Sequence, residues 1–164
     1  MSYYIIIRGP LGVGKSTIAQ SLAKRLRAQY ISIDKVLEEH GLDSRGNRPS
    51  IPAENFIKAN ELVLPQIKAE LKKGKRVVID GCFYHKEQID HLEWKLPIKH
   101  FVFNLKAPLA LCIQRDSNRE KAYGEGAAKA VYSLVSRFEY GFNIDTAGKT
   151  AAMCVKEIVS HLPK

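Results

Sequence analysis

The sequence has 164 residues, which predicts one domain large enough to bury a core without disulfides or a structural metal. Hydrophobic residues make up 45% and charged residues 26%, so the composition excludes disordered and fibrous proteins, and no apolar run is long enough to span a membrane. The formal net charge of +9 favours anionic partners, such as nucleotides, phosphorylated metabolites or nucleic acid, without choosing among them.

Short apolar runs rich in β-branched residues alternate with helical patterns along the chain. The predicted order is strand 3–8, helix 15–28, strand 30–33, helix 34–40, loop 41–52, helix 53–73, strand 76–80, helix 85–92, strand 99–105, helix 108–119, polar segment 120–126, helix 127–139, strand 142–144 and helix 150–162. Strands separated by helices predict an α/β protein whose parallel sheet is covered on both faces. Functional loops are then expected at the carboxyl ends of the strands.

The three cysteines, Cys82, Cys112 and Cys154, are far apart and form neither a CxxC pair nor a zinc-binding spacing. The first residues lack the basic segment of a secretion signal. We therefore expect a cytoplasmic protein with three free thiols and no membrane partner.

One motif dominates the sequence. The segment GPLGVGKST matches GxxxxGK[ST] in full, and it lies between a predicted strand and a predicted helix. Glycines at these positions allow a tight turn whose N–H groups bind phosphate oxygens, while the helix that follows contributes its positive dipole end. The Lys15 ammonium is expected to bind the β- and γ-phosphates of a nucleoside triphosphate, and the Ser16 hydroxyl to bind Mg²⁺. The predicted nucleotide-binding residues are Gly9, Pro10, Leu11, Gly12, Val13, Gly14, Lys15, Ser16 and Thr17.

Two aspartates follow predicted strands, and each has two interpretations. Asp34 is placed to accept a proton from an attacking hydroxyl, or to act as the N-cap of the next helix, or both. Asp80 ends the run Val77–Ile79, as in a Walker B site, and is predicted to hold Mg²⁺ through water. Its alternative is a turn aspartate before Gly81.

Arg115 and Arg119 are four residues apart on a predicted helix and therefore share a face. They open a predicted lid segment, about 115–127, and arginine suits both a transferring phosphoryl group and the flat face of a base. The alternative is a solvated face on which they pair with Asp116 and Glu120.

Together with the phosphate-binding motif, the segments 31–34, 77–83 and 138–146 resemble the small P-loop kinases that include chloramphenicol phosphotransferase and the kinase part of polynucleotide 5′-hydroxyl kinase. The resemblance implies a three-layer P-loop NTPase fold with a five-stranded parallel sheet in the order 2-3-1-4-5. It implies ATP, Mg²⁺ and transfer of the γ-phosphate to a hydroxyl. It also implies that Asp34 is the base, that Arg115 and Arg119 face the adenine and the phosphates, and that the loop from Thr146 to Lys149 lies near the adenine.

The sequence therefore predicts a single kinase domain over residues 1–164, with Lys15, Asp34 and Arg119 as its catalytic residues and a hydroxyl-bearing small molecule as acceptor. Two alternatives stay open. A polynucleotide 5′-hydroxyl kinase agrees with the net positive charge, although no strand face interleaves basic and aromatic residues, and so nucleic acid is not favoured. A regulatory NTPase that is not a kinase is the other alternative, but the chain lacks the NKxD motif that reads guanine.

Overall fold

A computed structural model describes all 164 residues, and its elements alternate between strand and helix for most of the chain. The strands are β1 (Tyr4–Arg8), β2 (Gln29–Ser32), β3 (Val77–Gly81), β4 (His100–Lys106) and β5 (Phe142–Asp145). The helices are α1 (Lys15–Leu26), α2 (Ile33–Glu39), α3 (Ala53–Lys72), α4 (Lys86–Lys95), α5 (Leu109–Ser117), α6 (Glu125–Val135) and α7 (Ala151–Ser160). No helix combines the length and the apolar composition that a membrane span requires.

The strands form one parallel sheet in the order β2-β3-β1-β4-β5, which confirms the predicted topology. The central strand β1 is buried along its whole length and pairs with β3 and β4, so Ile7 lies beside Asp80 and Phe103. Parallel strands that are covered on both faces read as continuous apolar runs, which explains the sequence of β1.

Alternate residues of the strands feed two separate cores. One face of the sheet packs against α2, α3, α4 and α6, with Ile6 and Ile79 in its centre. The opposite face packs against α1, α5 and α7, with Ile5 and Phe103 in its centre. The predicted three-layer arrangement is therefore confirmed, and both cores support the carboxyl end of β1.

The side chain of Arg8 is buried without a carboxylate partner, at 1% exposure. Its guanidinium donates hydrogen bonds to Asn104 Oδ1 at 2.6 Å and to the backbone carbonyls of Val135, Phe138 and Phe83 at 3.0, 3.2 and 3.3 Å. Burial lowers the pKa of Arg8 to about 10, so the group stays charged at neutral pH. This contact fixes the C-terminal end of α6 to the sheet.

The predicted helix 127–139 is wrong at both ends, because α6 spans Glu125–Val135. Its start follows Gly124, whose positive φ of 95° sets the direction of the chain before the helix. Its end coincides with the carbonyl of Val135, which Arg8 binds. The helix predicted over 53–73 is present as α3 and continues through Pro65. All three cysteines are free and buried, as expected.

Candidate active site

A cleft of about 440 Å³ opens at the carboxyl ends of β1 and β2, and we call it the nucleotide cleft. Six residues of the glycine-rich loop line it: Leu11, Gly12, Gly14, Lys15, Ser16 and Thr17. Asp34, Arg115 and Arg119 line it from other elements. The structure thus brings together residues that are about 100 positions apart in the sequence, around the start of α1.

The glycine-rich loop packs directly on α5. A Cβ atom built on Gly12 would lie 2.1 Å from the carbonyl oxygen of Cys112, and the residue has a positive φ of 77°. A Cβ atom at this position would clash with the Cys112 carbonyl, so any other residue would prevent the loop from packing this closely on α5. Gly9, Pro10 and Val13 are buried and do not line the cleft, so they support the loop from beneath.

Lys15 lies at the floor of the nucleotide cleft and is 93% buried, at 7% exposure. Its Nζ donates to the carbonyl oxygen of Pro10 at 2.9 Å, which holds the side chain across the loop. Burial opposes the charged form, but the acidic neighbours Cys82, Asp34 and Asp80 outweigh it, and the pKa of Lys15 is raised. The ammonium is therefore fully charged at neutral pH.

Asp80 is fully buried at the end of β3, beneath the nucleotide cleft rather than on its surface. Its Oδ2 accepts a hydrogen bond from the Tyr30 hydroxyl, while its Oδ1 has no hydrogen-bond partner. Burial raises the pKa of Asp80 to about 6, although the Tyr30 hydrogen bond and the Lys15 charge oppose the shift. Such an unpartnered carboxylate oxygen fits a cation or its coordinated water. No group of three or more His, Cys, Asp or Glu residues is arranged to hold a metal alone.

Asp34 lies in the first turn of α2 and is not its N-cap. The cap is Ser32, whose side chain accepts a hydrogen bond from the backbone N–H of Lys35 at 3.3 Å. The interpretation of Asp34 as a cap is therefore wrong, because the strand ends one residue earlier than the sequence pattern indicated. Asp34 lines the cleft, and its Oδ2 accepts a long hydrogen bond from the Cys82 thiol at 4.0 Å.

The two arginines have different surroundings. Arg115 donates to the carbonyl oxygens of Val13 and Thr146, both at 3.2 Å, and to the Thr146 hydroxyl at 2.9 Å. It therefore ties α5 to the glycine-rich loop, and the interpretation as a solvated face is wrong for this residue. Arg119 is exposed at the mouth of the cleft, with its guanidinium 5.3 Å from the centre of the Tyr123 ring.

Neither Thr146 nor Lys149, the two residues predicted to lie near the adenine, lines the nucleotide cleft. Thr146 is buried, and its hydroxyl donates to the carbonyl oxygen of Val13 at 3.2 Å, so it supports the glycine-rich loop. Lys149 pairs with Glu157 at 2.8 Å and lines a separate surface cavity beside β5. Their roles toward a nucleotide stay predictions.

Asp116 is a buried residue that the sequence interpretation treated only as a surface partner for arginine. Its two carboxylate oxygens accept hydrogen bonds from the backbone N–H groups of Tyr123 and Gly124, at 3.3 and 3.0 Å. These two hydrogen bonds hold the end of the polar segment, just before α6, against α5. The partners of Asp116 are backbone groups, which leave no signal in the sequence.

A second cavity of about 690 Å³ adjoins the nucleotide cleft, and we call it the acceptor cavity. The two spaces share Leu11, Asp34, Glu38 and Tyr123 as walls, so Asp34 lies at their boundary. Ten of the fifteen residues that line the acceptor cavity are hydrophobic. Sequence reasoning missed this cavity, because its walls come from five separate stretches of chain.

Two known proteins that are similar to this chain in sequence differ in how much of the chain they match. A candidate adenylate kinase from Thermococcus gammatolerans is 28% identical over 169 residues, which cover 98% of this chain and 85% of that protein. A shorter match to tRNA dimethylallyltransferase 9 from Arabidopsis thaliana is 50% identical over 46 residues, and the chain covers only 10% of that protein.

Among solved structures, a sugar kinase from a Janibacter species superposes with a TM-score of 0.77 at 19% identity, over 98% of this chain and 94% of that one. The fold is therefore that of the P-loop kinases, and the closer resemblance to chloramphenicol phosphotransferase stays a prediction. A family model described as "AAA domain" matches residues 5–139, and the chain belongs to that family.

Proposed function

We propose that this protein transfers the γ-phosphate of ATP to a hydroxyl group of a small molecule. The observation that carries the proposal is the position of Asp34, whose carboxylate lies where the nucleotide cleft meets the acceptor cavity. A phosphoryl group held in the first space and a hydroxyl held in the second would meet beside a group able to accept a proton.

ATP would bind with its phosphates against the glycine-rich loop, where backbone N–H groups and the start of α1 supply positive potential. Lys15, fixed across the loop by Pro10, would contact the β- and γ-phosphates. Ser16 and, through water, Asp80 would hold Mg²⁺, which when bound neutralises charge on the phosphate oxygens. Arg115 would keep the loop in place, because it binds the carbonyl oxygen of Val13.

In the transfer step, Asp34 accepts the proton of the acceptor hydroxyl as its oxygen attacks the γ-phosphorus. The new O–P bond forms as the bond between the γ-phosphorus and the bridging oxygen breaks, and ADP leaves with that electron pair. Lys15 and Arg119 stabilise the negative charge on the transferring group. The protein thus supplies position and charge, which are the main contributions an enzyme makes to phosphoryl transfer.

The test is transfer of label from γ-labelled ATP to a panel of alcohols, nucleosides and 5′-hydroxyl oligonucleotides. We expect a labelled small molecule, and ATP turnover that rises when its acceptor is added. Turnover that no hydroxyl compound alters, with label appearing only as inorganic phosphate, would support a regulatory NTPase and contradict the proposal. Labelled oligonucleotide as the main product would support the polynucleotide kinase instead.

A further inference from the structure

The acceptor cavity has a charge pattern opposite to that of the nucleotide cleft. Four carboxylates line it, and one lysine, Lys121, is its only basic residue. The acidic residues are Asp34, Glu38, Asp43 and Glu120. None of the four forms an ion pair within 4.0 Å.

No arginine faces this cavity. Arg115 and Arg119 line the nucleotide cleft, and Arg48, in the loop before α3, pairs with Glu54 at 3.1 Å. Arginine is the side chain best suited to bind a carboxylate or phosphate, because its donors match both oxygens of such a group. An anionic acceptor would therefore find only Lys121 as a basic partner here and would lie among four like charges.

The walls of the cavity are aromatic and aliphatic, and they are fixed by contacts with each other. Phe56 packs edge-on against Tyr84 with ring centres 5.1 Å apart. The Tyr84 hydroxyl accepts a hydrogen bond from the backbone N–H of Ile51 at 3.2 Å, which holds the loop before α3 against the cavity. The walls thus form a preformed apolar surface large enough for a ring-sized molecule.

We infer, on the basis of the proposed function, that the acceptor is a hydroxyl compound without net negative charge, either neutral or cationic, with an apolar ring-sized face. This assignment excludes nucleoside monophosphates and hydroxy acids as acceptors. The apolar walls would bind the face of the molecule, and the carboxylates at the rim would favour an ammonium group and oppose a carboxylate.

The test compares three alcohols on one skeleton: 4-(hydroxymethyl)benzylamine, 4-(hydroxymethyl)benzamide and 4-(hydroxymethyl)benzoate. Adenosine and AMP form a second, larger pair. Binding is measured by ligand-observed NMR on the full chain with Mg²⁺ and a nonhydrolysable ATP analogue, and phosphorylation is measured separately with γ-labelled ATP. We expect the amine and the amide to bind roughly tenfold more tightly than the benzoate, because the four carboxylates repel a negative charge, and this ratio should shrink at high salt.

Two variants test whether the carboxylates that line the cavity cause the preference for the amine over the benzoate. Glu38→Gln and Asp43→Asn should each reduce the ratio between amine and benzoate by about threefold, because each removes one like charge. Glu87→Gln is the matched control, since Glu87 is exposed on α4 and does not line the cavity. Its ratio should equal that of the unaltered protein.

The outcomes separate this inference from the proposed function. Selective binding of the amine and amide without phosphorylation of any compound would uphold the charge assignment and count against alcohol phosphorylation. Phosphorylation with equal or better binding of benzoate or AMP would overturn the charge assignment and leave the kinase proposal standing. Failure of every compound to bind would overturn the assignment of this cavity to the acceptor.

Discussion

The nucleotide cleft and the acceptor cavity share four wall residues, but the residues that line them differ in polarity and in charge. The cleft is lined mainly by polar groups, with only two hydrophobic residues among thirteen, and its cations are Lys15, Lys35, Arg115 and Arg119. The cavity has ten hydrophobic residues among fifteen, and four carboxylates against one lysine.

On the proposed function, this difference shows how two substrates could be held apart at the carboxyl ends of the strands of one sheet. A triphosphate is recognised by charge and by backbone N–H groups, which stay effective in a cleft that is open to water. In the proposed function, the apolar walls would recognise the second substrate by shape, and the carboxylates would keep phosphates out of that space. Asp34 lines both spaces, so in the proposed reaction the proton would be transferred at their boundary.

Replacing Lys15 by alanine is the largest expected disturbance of the cleft. We expect ATP turnover to fall by about 10³–10⁵-fold, the range seen when a cation is removed from a transferring phosphoryl group. The measurement is steady-state turnover, with circular dichroism to verify folding, because Lys15 is buried. Lys24→Ala, at an exposed position of the same helix, is the control. Near-normal turnover in a folded Lys15→Ala protein would remove the cleft from the proposed mechanism.

Replacing Asp34 by asparagine tests the boundary between the two spaces. We expect kcat to fall roughly 10²–10⁴-fold, as for loss of a general base, with little change in ATP affinity. Because Ser32 and not Asp34 caps α2, the helix should keep its stability. The exposed residue Asp90 provides a matched control, Asp90→Asn. Full kcat in Asp34→Asn would show that the carboxylate does not take the proton.

The two arginines of the cleft should differ in kinetics. Arg119→Ala should lower kcat by about 10²–10³-fold at saturating ATP, because it removes a donor to the transferring group. Arg115→Ala should instead raise the KM for ATP about tenfold, because it releases Val13 and Thr146 and loosens the glycine-rich loop. Arg115→Lys should not restore the KM, since one ammonium cannot replace the guanidinium fork. Equal and negligible effects would contradict both roles.

Asp80 makes the floor of the cleft sensitive to pH when no metal is bound. Burial raises its pKa to about 6 from 3.8, so between these pH values the folded protein holds a proton that the unfolded chain releases. This contribution to stability is present below pH 4 and is lost as pH rises through 6, a difference of about 3 kcal/mol.

Urea unfolding in EDTA at pH 4 and pH 7 provides the measurement. Asp80→Asn should lose this part of the pH dependence, and the variant should be more stable than the unaltered protein at pH 7. An identical pH dependence in both proteins would show that Asp80 is not a buried acid in solution.

The smallest expected effect concerns salt. A neutral acceptor releases no counterions, so its KM should stay nearly constant as salt is raised. A 5′-hydroxyl oligonucleotide would instead lose about 0.7 log units of affinity per log unit of salt for each phosphate contacted. Titration of a labelled oligonucleotide across salt concentrations separates the two cases. A steep loss of oligonucleotide affinity with rising salt, together with phosphorylation of the oligonucleotide, would indicate that the net charge of +9 contributes to nucleic-acid binding.

The cleft was predictable because its chemistry is encoded in contiguous residues. The loop from Gly9 to Thr17 carries its own turn, charge and helix start, and the alternation of strands and helices fixed the edge of the sheet on which it lies. The capping role of Ser32 was missed because Ser32 and Asp34 are both good N-caps, and strand ends are uncertain by a residue or two.

The acceptor cavity was not predictable in the same way. Phe56, Tyr84 and Val131 read as ordinary core residues in the sequence, and only the tertiary fold turns them toward one space. The partners of Asp116, and all partners of Arg8 except the Asn104 side chain, are backbone groups, which every sequence contains. Side chains that bind backbone leave no complementary residue to find.

Helix α6 is held at both ends: Asp116 binds Tyr123 and Gly124 just before it, and Arg8 binds Val135 at its last turn. We therefore expect any movement of Arg119 toward bound phosphates to come from the segment 118–122 and not from a swing of α6. The segment 118–122, which carries Arg119, lies between α5 and the backbone N–H groups that Asp116 binds. Motions of such loops take nanoseconds to microseconds, whereas hinged domains need microseconds to milliseconds. Closure over ATP should thus be complete long before chemistry, and turnover should not depend on solvent viscosity through this step.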